Sequence, residues 1–351
     1  MTKRLTNVAA VHNPRIIWGC REKILEEPTS RGEIEARDKP MRSVPTFNPA
    51  STLAQPIAHL FLVLGIIMMS ILLLVTVLVL YASFRFRRRP GAGEPRQNFG
   101  RKGTEIAWTI APLLLLAYIF TITVHAMHGA DPDISTGRKP DMVIVGHQWW
   151  WEARYTNTNV VAANEIHIPV GKPLLVRLES ADVIHDWWVP QLGRKMDAIP
   201  GDPNEFWLEA DSPGTYLGTC AEFCGAEHAW MRILVTAQSE SAFKQWSEHQ
   251  LEIPLQPTAG DAALGAVLFE QLTCANCHTI SGTSAKGTIG PDLTHLAERQ
   301  TLAAGVFENT PSNLERWLSD PQAVKPGIHM PNFEMTSDQV RELTAFLETL
   351  R

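Results

Sequence analysis

The sequence has no excess of basic charge. Its 351 residues carry 31 Lys and Arg against 37 Asp and Glu, a net charge of −6, which argues against the basic face that a nucleic-acid partner requires. Cysteine is scarce, five in all, and four of these stand in two tight pairs, Cys220 with Cys224 and Cys274 with Cys277. A disulfide framework scatters its cysteines through the chain, whereas tight pairs point to metal or haem chemistry. Cys20 is left over and reads as a free thiol. Residues 1–50 lack an apolar run, so no secretory signal is expected there. They read as a polar N-terminal extension without stable structure.

Apolar residues crowd instead into two stretches. From Ile57 to Ala82 there is no Asp, Glu, Lys or Arg, and the one histidine is His59. A helix rising about 1.5 Å per residue crosses the hydrocarbon core over that length. The run stops at Arg85, Arg87, Arg88 and Arg89. A second span is expected over about 106–127, kinked where Pro112 removes a backbone hydrogen bond. A buried core helix is the other reading, weaker for the first run than for the second. The loop between holds Arg85, Arg87, Arg88, Arg89, Arg96, Arg101 and Lys102 against Glu94 alone. Positive loops stay in the cytoplasm, so 51–128 forms a transmembrane hairpin in the lipid bilayer with both chain ends outside.

After His128 the texture changes. Residues 142–155, 164–180, 205–209, 215–219 and 231–237 are strand-like, with turn signals such as Val170-Gly171-Lys172-Pro173 between them. Short strands at this spacing predict a β-sandwich or Greek-key barrel over 129–250. Within it, Cys220-Ala-Glu-Phe-Cys224-Gly-Ala-Glu-His228-Ala-Trp-Met231 packs two thiols, an imidazole and a thioether into one loop. Soft sulfur donors with imidazole select copper, and the thioether disfavours zinc. Two thiolates on one loop can bridge two copper ions. A second imidazole must come from elsewhere, and His185, just before Trp187-Trp188, is the best candidate. A disulfide or a zinc pair is the alternative.

This loop resembles the CuA motif of cytochrome c oxidase subunit II, Cys-x3-Cys-x3-His-x2-Met with an upstream His. The resemblance implies a cupredoxin-like barrel and the ligands His185, Cys220, Cys224, His228 and Met231. It further implies that Glu222 binds copper through its carbonyl and reaches a magnesium ion at the catalytic subunit with its side chain. Gly146-His-Gln-Trp149-Trp-Trp151 resembles the family's aromatic patch, whose first Trp receives the electron. Glu105 resembles the glutamate at the mouth of a proton path; an interfacial charge opening the second span is the equal alternative. Asp186, Trp187, Trp150 and Asp202 depart from the residues usual in the family, and none of them is a ligand.

Past a linker at 251–260, Cys274-Ala-Asn-Cys277-His278 is the haem c attachment pattern over an all-α domain, 261–351. Two thiols three apart reach the two haem vinyl groups, and the next imidazole reaches the iron. His/Met ligation suits an electron carrier. Met330-Pro331 supplies the sixth ligand, with His329 and Met335 as rivals. The setting resembles class I cytochromes c, and Gly290-Pro291 resembles the turn whose carbonyl orients the axial His. Thr310-Pro311 and Thr336…Gln339 predict helix starts. Residues 258–351 carry six Lys and Arg against eleven Asp and Glu, an acidic bias that a basic donor would meet.

The expectation is therefore a multi-domain membrane protein. It is an electron-input subunit of a bacterial cell-membrane haem–copper oxidase, holding CuA and covalent haem c on the outer side. Its implied partners are subunits I and III and a cytochrome c or cytochrome bc1-type donor. A nitric oxide reductase subunit, or a membrane-anchored binding module with disulfides, stands as the alternative.

Overall fold

The computed structural model describes residues 44–351 apart from 92, 95–98 and 135–136. The sequence readings on 1–43, Cys20 among them, lie outside the described residues. Two long helices come first, α1 (Gln55–Arg85) and α2 (Lys102–Ala130). Each extends a few residues beyond the apolar run. Pro56 starts α1 in the first turn, where proline's missing N–H costs nothing, and α2 is continuous through Pro112. Their apolar windows are wholly unburied within the chain, as expected of surfaces that face lipid. A Cβ added at Gly129 would sit 3.0 Å from Pro56, so the end of α2 lies against the start of α1.

The ten strands that follow are β1 (Met142–His147), β2 (Trp150–Tyr155), β3 (Val161–Ala163), β4 (Glu165–Pro169), β5 (Leu174–Ser180), β6 (His185–Trp188), β7 (Met196–Ala198), β8 (Asn204–Leu208), β9 (Gly214–Cys220) and β10 (Arg232–Gln238). They make two five-stranded sheets, ordered β3-β2-β1-β5-β8 and β4-β10-β9-β6-β7. The β1–β5 and β4–β10 pairings are parallel. The alternation along β10 shows how sequence sets the faces: Ile233, Val235 and Ala237 point inward and their neighbours outward, the period of two that a pleated strand imposes. Ile144, Trp151, Ile166, Ile168, Leu178, Trp187 and Val235 are all essentially inaccessible and fill the space between the sheets. The run 142–155 is a hairpin rather than one strand, because the chain reverses at Gln148-Trp149 and pairs His147 with Trp150. The short strands β6 and β7 carry too few residues for a period to show.

Residues 48–50, expected to belong to a structureless extension, are instead fastened to this domain. Ala50 N donates to Gln191 O (2.8 Å), Gln191 Nε2 donates to Asn48 O (3.0 Å), and Ser51 Oγ donates to Leu192 O (2.8 Å). Their polar look in sequence hides backbone pairing. At the other end of the hairpin, Arg194 pairs with Asp131 at 2.8 Å and Trp207 Nε1 donates to Pro132 O at 3.1 Å.

Helix α3 (Glu240–His249), capped by Ser239, packs Phe243 and Trp246 on the β domain. Then come α4 (Gly260–Gln271), the two-residue strands β11 (Thr301–Leu302) and β12 (Phe307–Glu308), α5 (Pro311–Ser319), α6 (Pro321–Val324) and α7 (Ser337–Leu347). Helix α4 begins at Gly260, the last residue assigned to the linker. Thr310 caps α5, and Thr336 with Gln339 forms a complete capping box on α7. Leu268, Phe269, Leu314, Leu343, Phe346 and Leu347 close a second core. Gly265 lets α4 and α7 touch: a Cβ there would meet Glu342 O at 2.0 Å.

Candidate functional site

The end of β9, the loop after it and the start of β6 bring the predicted copper donors together. Cys220 and Cys224 Sγ lie 3.7 Å apart. His185 Nδ1 is 3.9 Å from Cys220 Sγ, and His228 Nδ1 is 3.6 Å from Cys224 Sγ. Met231 Sδ is 3.9 Å from Cys224 Sγ, and Glu222 O is 3.3 Å from Cys220 Sγ. The sheet does this work: Trp187 pairs with Cys220 across β6 and β9, and Cys220 N donates to Met231 O. His185, Cys220, Cys224 and Met231 are buried. Glu222 has an exposed side chain, so only its carbonyl faces the cluster. Two thiols, two imidazoles, a thioether and a carbonyl, with no carboxylate among them, fit a copper pair.

The electrostatics favour a bound cation. The hydrogen bond shared with Cys224 holds the Cys220 thiol well below its ordinary range, and the same bond, with burial and then the Cys220 charge, pushes Cys224 up. A second thiolate thus forms only against a positive ion. Burial disfavours a charged His185, but the 2.8 Å hydrogen bond from Nε2 to Asp182 Oδ1 outweighs it. That bond turns Nδ1 toward the sulfurs, as outer partners of ligating imidazoles do. Asp186, the departure noted in the sequence, is buried; desolvation and nearby Asp197 push its carboxyl up to about 7.

Trp149 sits against this loop. Its Nε1 donates to Cys224 O at 3.0 Å, and Gln148 Nε2 donates to the same oxygen at 2.8 Å. A Cβ on Gly225 would lie 2.9 Å from the Trp149 ring, so only glycine leaves room there. The indole also packs against the His329 ring, centroids 5.1 Å apart and tilted by 48°. It is 7% exposed.

In the C-terminal domain, Cys274 and Cys277 are free and half-buried at the N-terminal side of His278. His278 Nδ1 donates to Pro291 O at 2.8 Å, leaving Nε2 as the ligating nitrogen. A Cβ at Gly290 would lie 2.5 Å from the His278 ring. Met330, like Cys274, Ala275 and Met335, packs against the second core, and Gln322 Nε2 donates to Ile328 O at 2.9 Å and to Met330 O at 2.8 Å. His329 is turned the other way, onto Trp149. Two thiols, an oriented imidazole and a thioether packed on the same core, with glycine at 290 where a Cβ would strike the imidazole, fit a haem. Glu105 lies apart from both clusters, in the first turn of α2.

Several contributors escaped the sequence reading. Lys325, 3% exposed, donates to Trp230 O (3.2 Å) and Ala303 O (3.3 Å). Burial brings its ammonium down to about 8 despite the nearby Glu227. Glu165 accepts from Gln300 N (2.9 Å), Thr301 N (2.7 Å) and Thr301 Oγ1 (2.8 Å). Arg232 N donates to Ala304 O, and Ala304 is buried with Trp150 and Ala163. These contacts seat the C-terminal domain on the β domain. Asp182, three residues before His185, had a local signal; the others join residues far apart in the chain and had none.

Three family profiles match the chain: the transmembrane domain of cytochrome c oxidase subunit II over 44–125, its periplasmic domain over 159–238, and cytochrome c over 262–351. A cytochrome c oxidase subunit 2 of Alkalihalophilus pseudofirmus is 37% identical over 297 residues, 83% of this chain and 86% of that protein. Its counterpart in Bacillus subtilis is 30% identical over 326 residues, 87% of this chain and 91% of that protein. The crystal structure of the periplasmic domain of subunit II of cytochrome oxidase from Bradyrhizobium japonicum is 34% identical, covering 32% of this chain and 95% of that one with a TM-score of 0.31. With the long relatives aligned across all three parts, the chain belongs to the cytochrome c oxidase subunit II family, as a membrane-anchored haem–copper oxidase subunit that carries a C-terminal cytochrome c domain.

Proposed function

We propose that this subunit receives electrons from cytochrome c or a cytochrome bc1-type donor in its haem domain. It hands them through its copper domain to catalytic subunit I, which works beside subunit III and reduces oxygen to water with proton translocation. A covalent haem c on Cys274, Cys277, His278 and Met330, and a CuA pair on His185, Cys220, Glu222 O, Cys224, His228 and Met231, supply one-electron storage when bound. The observation that carries the reading is Trp149, whose indole N–H donates to Cys224 O and whose ring packs against His329, next to Met330.

The remaining residues serve to fix this geometry. Gln148 shares the Cys224 carbonyl with Trp149 and stops the copper loop from turning. Gln322 holds the backbone of the Met330 loop. Glu165 and Lys325 keep the haem domain seated, so no soluble protein reaches Trp149 directly and donors meet the acidic haem domain instead. The exposed Glu222 side chain is free to reach a magnesium ion at subunit I. Glu105 stands at the end of α2 remote from both centres, on the arginine-rich side assigned to the cytoplasm, where a proton path opens inward. In this reading the chain sits in a bacterial cell membrane with both redox domains outside, supported by the two apolar helices and the arginine-rich loop between them.

The test is turnover of the assembled oxidase on reduced cytochrome c, with oxygen and nitric oxide uptake measured side by side. The reading predicts oxygen consumption that falls at least about tenfold in Trp149→Leu with both centres loaded, a barrier increase of about 1.4 kcal/mol. Unchanged turnover in that variant, or uptake of nitric oxide alone, contradicts it.

A further inference from the structure

A second group of ligating side chains lies away from the copper and haem clusters. His249 ends α3, on the β domain. His295 precedes and Glu298 ends a 3-10 turn, Leu296–Glu298, in the haem domain. His249 Nε2 is 2.7 Å from Glu298 Oε1, and the His249 and His295 rings are 5.2 Å apart. One donor atom from each of the three residues lies within 4.8 Å of the other two. Glu252 Oε2 closes on His249 Nδ1 at 3.0 Å.

His295 is the telling residue. It is 6% exposed, and neither ring nitrogen has a hydrogen-bond partner. A buried polar group left unsatisfied is destabilising, and an ion bound at a ring nitrogen would satisfy it. Beside it opens a cavity of about 140 Å³ lined by Glu165, His167, Trp246, Gln250 and Arg299. A liquid water occupies about 30 Å³, so an ion with waters fits. Arg299 is the cation among these lining residues, and it donates to Asp292 O. Glu165 and Glu298, which also line the cavity, outnumber it.

We propose that His249, His295 and Glu298 bind a divalent transition-metal ion, zinc matching the donor set best, across the seam between the copper and haem domains. Two imidazoles and one carboxylate are a known zinc set that leaves a fourth position for water. Bonds of about 2.0–2.1 Å around a tetrahedral zinc hold donors roughly 3.3 Å apart, so the observed spacing closes by small side-chain rotations. The pairing of His249 with its two glutamates does not use His295; a metal does. The ion carries no electrons here. It ties α3 to the haem domain and stiffens the seating of one on the other.

The experiment uses the full chain in detergent with copper and haem loaded and quantified. It is dialysed against buffered micromolar zinc, and the zinc is counted by mass spectrometry and read at the zinc absorption edge. One zinc per chain is expected, with two imidazoles and oxygen donors and no sulfur. His295→Gln and Glu298→Gln, checked for unchanged copper and haem spectra, should each lower zinc affinity at least about tenfold. Zinc should also slow amide exchange over 295–301 in the wild type. No zinc bound, equal affinity in both variants, or sulfur in the zinc shell overturns the proposal.

Discussion

Glu165 offers the sharpest test of how the two redox domains are joined. Its buried carboxylate accepts three hydrogen bonds, all from residues 300 and 301 of the haem domain. Hydrogen bonds to a charged group contribute about 1.5–3 kcal/mol each when fully buried. Gln300 is exposed and Thr301 half-exposed, so water recovers part of the loss in Glu165→Ala. A net penalty of about 2–3 kcal/mol remains, which is roughly 30- to 150-fold in the docking equilibrium. Glu165→Gln keeps an acceptor but loses the charge and sets an amide NH2 against an N–H donor, and should fall between. The assay is native-state amide exchange at residues 300–305, with the copper and haem spectra as controls. Exchange should accelerate there by that factor and stay unchanged in β9 and β10. If the alanine variant exchanges like the wild type at Thr301, the carboxylate does not hold the domains together and the reasoning fails.

Other consequences follow from the same geometry. Asp182→Asn should weaken copper retention about ten- to a hundredfold, because His185 loses the partner that orients it; copper content after dialysis against a chelator reads this, and full retention would contradict it. Met330→His should lower the haem potential, since methionine ligation raises it, whereas His329→Gln should leave it in place; optical redox titration separates the two. Gly290→Ala puts a methyl 2.5 Å from the His278 ring and should depress haem incorporation without altering copper content. Lys325→Met leaves the carbonyls of Trp230 and Ala303 without their buried donor and should lower the thermal midpoint of the seated haem domain, at a cost of about 1–3 kcal/mol for the groups left unsatisfied. An unchanged midpoint would place that lysine in solvent.

What the sequence showed and what it hid divide along contact range. The copper loop was readable because four of its donors lie within twelve residues of chain, and the haem attachment run because five residues carry it whole. Caps at Thr310 and Thr336 were readable for the same local reason. His185 was found only by its position before an aromatic pair. The seam was not readable at all. Glu165 meets residues 135 and 136 positions later, and Lys325 meets a carbonyl 95 positions earlier; no periodicity encodes such pairings. Trp149 was recognised through its neighbours, but its contact with His329 depends on how two separately folded cores meet. The polar run before α1 misled because backbone hydrogen bonds, which any residue makes, hold Asn48 and Ala50.

The most direct measurement is the kinetics of electron exchange inside the isolated, fully metallated chain. A photogenerated reductant delivers one electron to the haem, and absorbance follows haem and copper together. The account predicts that haem reoxidation and copper reduction share a single rate that does not change with protein concentration. A rate proportional to concentration, with electrons passing only between molecules, would contradict it.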